Sequence, residues 1–138
     1  MKKFKFFLGL ISILLFSYFV FAQSFWGGRT MSAKEVKEKW GEALFDSKKF
    51  KEGSYDIKSK MAYSIMMDKT LIGKSIEDIR EIFGPQEGFY FIDTYPAYII
   101  QRGKNRSEET WQLVFRMSNK YTVRDIIMHK NCCEKKTP

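Results

Sequence analysis

The chain has one histidine and two cysteines, Cys132 and Cys133, which are adjacent. That poverty excludes a Cys/His zinc ribbon, which needs more ligands than the chain owns. It also excludes a disulfide-rich secreted scaffold. Nine glycines are present, yet they form no Walker-type loop and no dinucleotide fingerprint. What is there is an ordinary globular balance. Of 138 residues, 44% are apolar and 29% charged, with 24 basic and 16 acidic side chains and a net charge of +8. The length suits one domain rather than two.

The charge is unevenly placed. Lys2, Lys3 and Lys5 precede an apolar run over residues 6–21, bounded by Phe6 and Phe21 and broken only by Gly9, Ser12 and Ser17. Val20-Phe21-Ala22 then puts small residues where a signal peptidase reads them. The pattern predicts a signal peptide over residues 1–22 with cleavage after Ala22. An uncleaved anchor is the alternative, and the run is shorter than the roughly 20 residues a spanning helix wants. No cysteine near the end of the run offers a lipid attachment point. Removing the three lysines lowers the net charge to +5. The basic runs at residues 34–39 and 48–49 are interrupted by Glu35, Glu38 and Asp46, which fits a solvated helix face and not a nucleic-acid stripe.

Residues 23–31 lack periodicity and are expected to be a flexible lead. Ser32 with Glu35 forms a capping box, and Val36, Trp40 and Leu44 repeat every four residues behind it. Residues 46–54 are expected to be a connector. Ile57, Met61 and Ile65 predict a second amphipathic helix over residues 55–68. The clearest local signal follows. Ser75 is a good N-cap, Glu77 and Asp78 place negative charge on the first turn, and Ile76, Ile79, Ile82 and Phe83 form an apolar face. Gly84 and Pro85 end that helix.

Beyond Pro85 the period changes. Residues 89–92, 97–102, 110–116 and 121–128 are expected to be strands, joined by turns at residues 103–106 and 118–120. Trp111, Leu113 and Phe115 alternate with Gln112, Val114 and Arg116. Helices first and strands afterwards predict an α+β fold, with helices on one face of a three- to four-stranded antiparallel sheet. The single domain is expected over residues 32–130, with a basic tail at 131–138.

Leu71-x-Gly73-x-Ser75, the helix to Phe83-Gly84-Pro85, the aromatic strands, Leu113-Val114-Phe115 and Val123 together resemble the SmpA/OmlA, or BamE-like, domain. The resemblance covers about residues 55–130. It implies a helical pair on a small antiparallel sheet, an architecture shared with β-lactamase inhibitory protein modules. Phe45-Asp46-Ser47, Phe50-Lys51 and Met61 are similar to small exported bacterial proteins with the same core. Envelope-assembly members of the family begin as lipoproteins, which this chain, without a suitably placed cysteine, does not match.

Catalytic chemistry is sparse. His129, Cys132 and Cys133 sit at the end of the chain, a poor place to hold nucleophile and base. Adjacent cysteines bridge only with local strain, and an intermolecular bridge is equally permitted. Glu87, Asp93, Glu108 and Glu109 fall in expected turns, where nothing forces a glycosidase-like pair to face a cleft. Phe89, Tyr90, Phe91, Tyr95 and Tyr98 are expected to be strand core rather than a stacking platform. Met61, Met66 and Met67 are expected to be packing residues and not a soft-metal site. No cofactor or metal is expected. The expected function is a non-enzymatic protein-binding module, exported to the periplasm, cell envelope or medium. Its partner face would carry Gln112, Val114 and Arg116. The alternatives are a secreted inhibitor or effector of the same fold and, third, a small hydrolase.

Overall fold

Two serines begin helices by the same reciprocal device. The structure, a computed structural model, describes residues 30–104 and 109–131. Helix α1 spans Ala33–Trp40, and the Ser32 hydroxyl accepts the Glu35 N–H while the Glu35 carboxylate accepts the Ser32 N–H at 2.7 Å. Gly41 ends it at φ 91°, its N–H donating to the Lys37 carbonyl at 2.8 Å. A side chain would be strained at that φ. Leu44 therefore falls outside the helix and is exposed, so the expected Val36–Trp40–Leu44 series stops at Trp40.

The expected connector at residues 46–54 contains a helix. Helix α2 spans Ser47–Glu52, is capped by Asp46 accepting from the Lys49 N–H, and buries Phe50 completely. Helix α3 spans Tyr55–Met67 and buries Lys58, Met61, Ala62 and Ile65. Ile57, placed on the apolar face by the sequence reading, is exposed. A four-residue step rotates about 40° around a 3.6-residue helix, so Ile57 and Ile65 point well apart. After a 3₁₀ turn at Lys69–Leu71, helix α4 spans Ile76–Phe83. Ser75 and Asp78 complete a capping box, and Gly84 ends the helix at φ 87°. Ile76, Ile79 and Phe83 are buried, as read from the sequence.

The strands are β1 (Thr30–Met31), β2 (Ala97–Gln101), β3 (Thr110–Met117) and β4 (Val123–Asn131), ordered β1-β4-β3-β2 and antiparallel throughout. The sheet differs from expectation mainly at three places, besides shifts of one or two residues at the ends of β2 and β3 and at the start of β4. Thr30 and Met31, assigned to the lead, pair with His129 and Met128. Residues 89–92 form no strand and contain only an isolated Tyr90–Ile92 bridge. Strand β4 runs to Asn131, past the expected end at Met128. The expected turn at residues 103–106 lies partly outside the described residues, as do the signal segment and the tail.

The fold is α+β, with helices packed against the sheet. Trp111, Leu113, Phe115 and Met128 face the helix layer. The Phe83 ring centroid lies 4.9 Å from Phe45, 5.2 Å from Phe50 and 4.9 Å from Phe115. Tyr98 donates to the Gly84 carbonyl at 2.8 Å, and burial pushes its phenol pKa up. The Gly73 N–H donates to Val123 O and the Val123 N–H to Lys74 O, each at 2.8 Å, fixing the start of α4 to β4.

Candidate partner-binding face

Strand alternation puts Gln112, Val114 and Arg116 on the sheet face away from the helices, opposite His129, Ile127 and Asp125 on β4. That face was expected to stand open. Instead Gln112 and Val114 have 0% exposure. Only Arg116, with a third of its side chain exposed, reaches solvent. The reason lies in residues 86–96, which cross this outer face. Gln112 Nε2 donates to the Phe89 carbonyl at 2.8 Å, and its Oε1 accepts the Phe89 N–H at 3.2 Å. A side-chain amide thus pairs with a peptide unit much as a neighbouring strand would. The Glu87 and Gly88 N–H groups both donate to Ala97 O, at 3.2 and 2.9 Å.

Gly88 has no room for a side chain. A Cβ there would press on Gln112 Oε1 and sit 3.3 Å from the Ala97 carbonyl carbon. Gly88→Ala is expected to cost about 1–3 kcal/mol by overpacking. Urea unfolding checks this, and an unchanged midpoint would mean that the segment does not lie against β3.

The tip of the segment is a tight γ-turn. The Ile92 N–H donates to Tyr90 O at 2.6 Å around Phe91, whose φ is 55°. Bulky residues rarely adopt that conformation, and this turn hand is strained. It turns Phe91 outward, 65% exposed, beside Phe89 at 54% and Ile92 at 48%. These aromatics were expected in strand core, and only Tyr98 is there, on β2. Tyr90 is less exposed and meets the Phe91 ring edge-on at 4.6 Å. Its ring meets His129 edge-on at 4.7 Å and stacks on Tyr95 at 6.1 Å.

Arg116 grips Asp125 with both ends of its fork, Nε to Oδ1 at 2.6 Å and Nη2 to Oδ2 at 3.0 Å. That hydrogen bond raises the pKa of Arg116. Burial alone would raise the Asp125 carboxyl, but Arg116 and then Arg124 outweigh it, so its pKa falls below the usual range.

His129, expected just past the end of the last strand, is in fact buried in β4. Its Nδ1 lies 3.5 Å from Gln112 Nε2, and its buried Nε2 has no hydrogen-bond partner. Burial lowers its pKa. No periodic signal could have placed it, because His129, Lys130 and Asn131 are all polar. Cys132 and Cys133 lie outside the described residues, as does the cleavage position after Ala22.

Among the described residues, the candidate carboxylates have separate surroundings. Glu87 pairs with the buried Lys58 at 2.9 Å. Glu109 accepts from Trp111 Nε1 and from Lys130 Nζ, both at 2.9 Å. Asp93 is exposed in the outer segment, and Glu108 lies outside the described residues. Among the described residues, no three His, Cys, Asp or Glu side chains are brought together as metal ligands. Met61 is buried and its sulfur accepts the Asp46 N–H at 3.4 Å, while Met67 is exposed. The Lys58–Glu87 pair escaped the sequence reading. Its signal is a lysine standing in the series Lys58, Met61, Ala62, Ile65, where an apolar residue is usual.

Among the described residues no helix is long and apolar enough to cross a membrane. Comparison of the chain with protein-family models, with characterised proteins and with solved structures finds no match.

Proposed function

We propose that the protein is a non-enzymatic protein-binding module that works after export, in the bacterial envelope or the medium, and that its partner is a protein. The supporting observation is the outer segment itself. A hydrogen-bonded platform holds Phe89, Phe91 and Ile92 out into water. Three large apolar side chains exposed together at a loop tip are a partner signature rather than a packing need. Aromatic and arginine residues dominate binding energy at protein interfaces. The partner face therefore shifts from Gln112, Val114 and Arg116 to the segment lying over them, with Arg116 kept at its margin. The SmpA/OmlA-like motifs support a place in the envelope. The basic start, apolar run and Ala22 support export with a mature chain beginning at Gln23.

The test is affinity capture from envelope extract and medium, using the exported chain as bait and reading its N-terminus by intact mass. A protein held by the wild-type chain is expected to be lost, by about 1–2 kcal/mol of affinity or more, from Phe91→Ala or Arg116→Ala. The thermal midpoint should hardly move, because Phe91 is exposed and an ion pair as exposed as Arg116–Asp125 is worth about 0.2–1 kcal/mol. Equal capture by wild type and both variants would refute this face. A retained Met1 would refute cleavage.

A further inference from the structure

The feature that protein binding leaves unexplained is His129. It is 6% exposed, it is the chain's only histidine, and it lies under the segment that carries the aromatic tip. The bonds around it fix its proton. Phe89 holds the Gln112 amide at both ends, so the Gln112 NH₂ is the group that faces His129 Nδ1. Nδ1 must then be the acceptor, and the single ring proton sits on Nε2, which is buried without a partner. A second proton has no good place. It would turn Nδ1 into a donor pointing at a donor, and it would leave a positive charge buried with no acceptor at either ring nitrogen. Gln112 cannot flip to relieve this, because flipping would set its NH₂ against the Phe89 N–H.

No neighbouring charge compensates among the described residues. Strand β3 presents neutral Gln112 and strand β1 presents Thr30 opposite His129. The outer segment presents the Tyr90 ring, with Tyr95 behind it. Its two carboxylates are elsewhere, Glu87 on Lys58 and Asp93 in solvent. On β4 itself, Lys130 is tied to Glu109, and Asp125 is tied to Arg116 two pairs further along. Burial therefore lowers the pKa of the ring with no carboxylate beside it to oppose the shift.

We propose that His129, Gln112 and the Phe89 peptide form an acid-released latch, in which protonation of His129 by solvent frees residues 86–96 from the outer face. Release uncovers Gln112 and Val114 and relaxes the strained turn at Phe91. The latch rests on the outer-face reading only for what the uncovered surface would meet. The sign follows from linkage. A histidine whose pKa is lower in the closed state than in the open one stabilises closure fully above the open-state value of about 6.5. That stabilisation is lost as pH falls below it, toward the closed-state value.

The test is nuclear magnetic resonance on the full chain as exported. The His129 ring is expected to titrate below pH 6.5 or so. The protection factor of the Phe89 amide should fall by up to about tenfold per pH unit below that point. The Ile79 amide, bonded to Ser75 O at 3.1 Å in α4, should keep its protection. In His129→Gln the Phe89 protection should not depend on pH over this range. A ring midpoint at or above the ordinary value overturns the latch. So does equal loss at Phe89 and Ile79, or an unchanged pH response in His129→Gln. Should that variant not fold, the first two readings decide. Loss of partner capture in Phe91→Ala plays no part in this test, so the binding reading and the latch fail separately.

Discussion

Phe83→Ala is expected to lower stability by about 3–5 kcal/mol. Phe83 is 2% exposed at the end of α4. Its ring is held on four sides, by Phe45, by Phe50 on α2, by Tyr98 on β2 and by Phe115 on β3. These rings come from both layers and are themselves fixed, Tyr98 by its bond to Gly84 O. The cavity therefore cannot collapse, and the lost transfer energy is joined by lost dispersion contacts. Urea unfolding measures it. A loss below about 1 kcal/mol would show that α4 does not pack on the sheet through this ring.

Glu87→Gln is the second large effect, at about 2–3 kcal/mol. The pair is lopsided: the Lys58 side chain is 7% exposed and that of Glu87 is 38%. Among the described residues, losing the acid leaves a buried ammonium with an uncharged amide acceptor and the faces of Phe50 and Tyr55, at 5.4 and 5.7 Å. Breaking a fully buried pair costs about 3–5 kcal/mol, and partial solvent access through Glu87 brings the figure down. Lys58→Met leaves the acid partly in water and puts an apolar chain in an apolar stripe, so it should cost less than about 1 kcal/mol. The two variants compared by urea unfolding give the check. A larger loss for Lys58→Met would contradict the burial asymmetry.

Legibility in the sequence followed locality. The α4 unit could be read because its signals lie within about ten residues: an N-cap at Ser75, negative charge at Glu77 and Asp78, an apolar face and a terminating Gly84. The reciprocal bond between Asp78 and Ser75 is what the structure adds. The Ser32–Glu35 box was equally plain. Helix α2 was missed because its six residues hold one apolar side chain, Phe50, and one residue makes no period. Residues 89–92 have strand composition, yet their backbone is committed to Gln112 and to the turn at Phe91. Tertiary contacts of this kind override β propensity.

The candidate site was legible in part. Alternation on β3 correctly separated Trp111, Leu113 and Phe115 from Gln112, Val114 and Arg116. Which segment would lie over the second set was not legible. Its cover depends on a glutamine amide reaching across 23 residues to Phe89, and no local pattern encodes that. The same long-range event buries His129 and turns Phe89 and Phe91 out. The residues with the most functional promise were therefore those that period and propensity misplaced.

Site-specific photocrosslinking in the producing cell tests the partner face most directly. A photoreactive phenylalanine at position 91, on the tip of the outer segment, is expected to give a discrete protein adduct. The same probe at position 44, a still more exposed apolar site where Leu44 stands 88% exposed, is expected to give none. No adduct at 91, or the same adduct from both positions, would contradict a binding surface built on Phe89, Phe91 and Ile92.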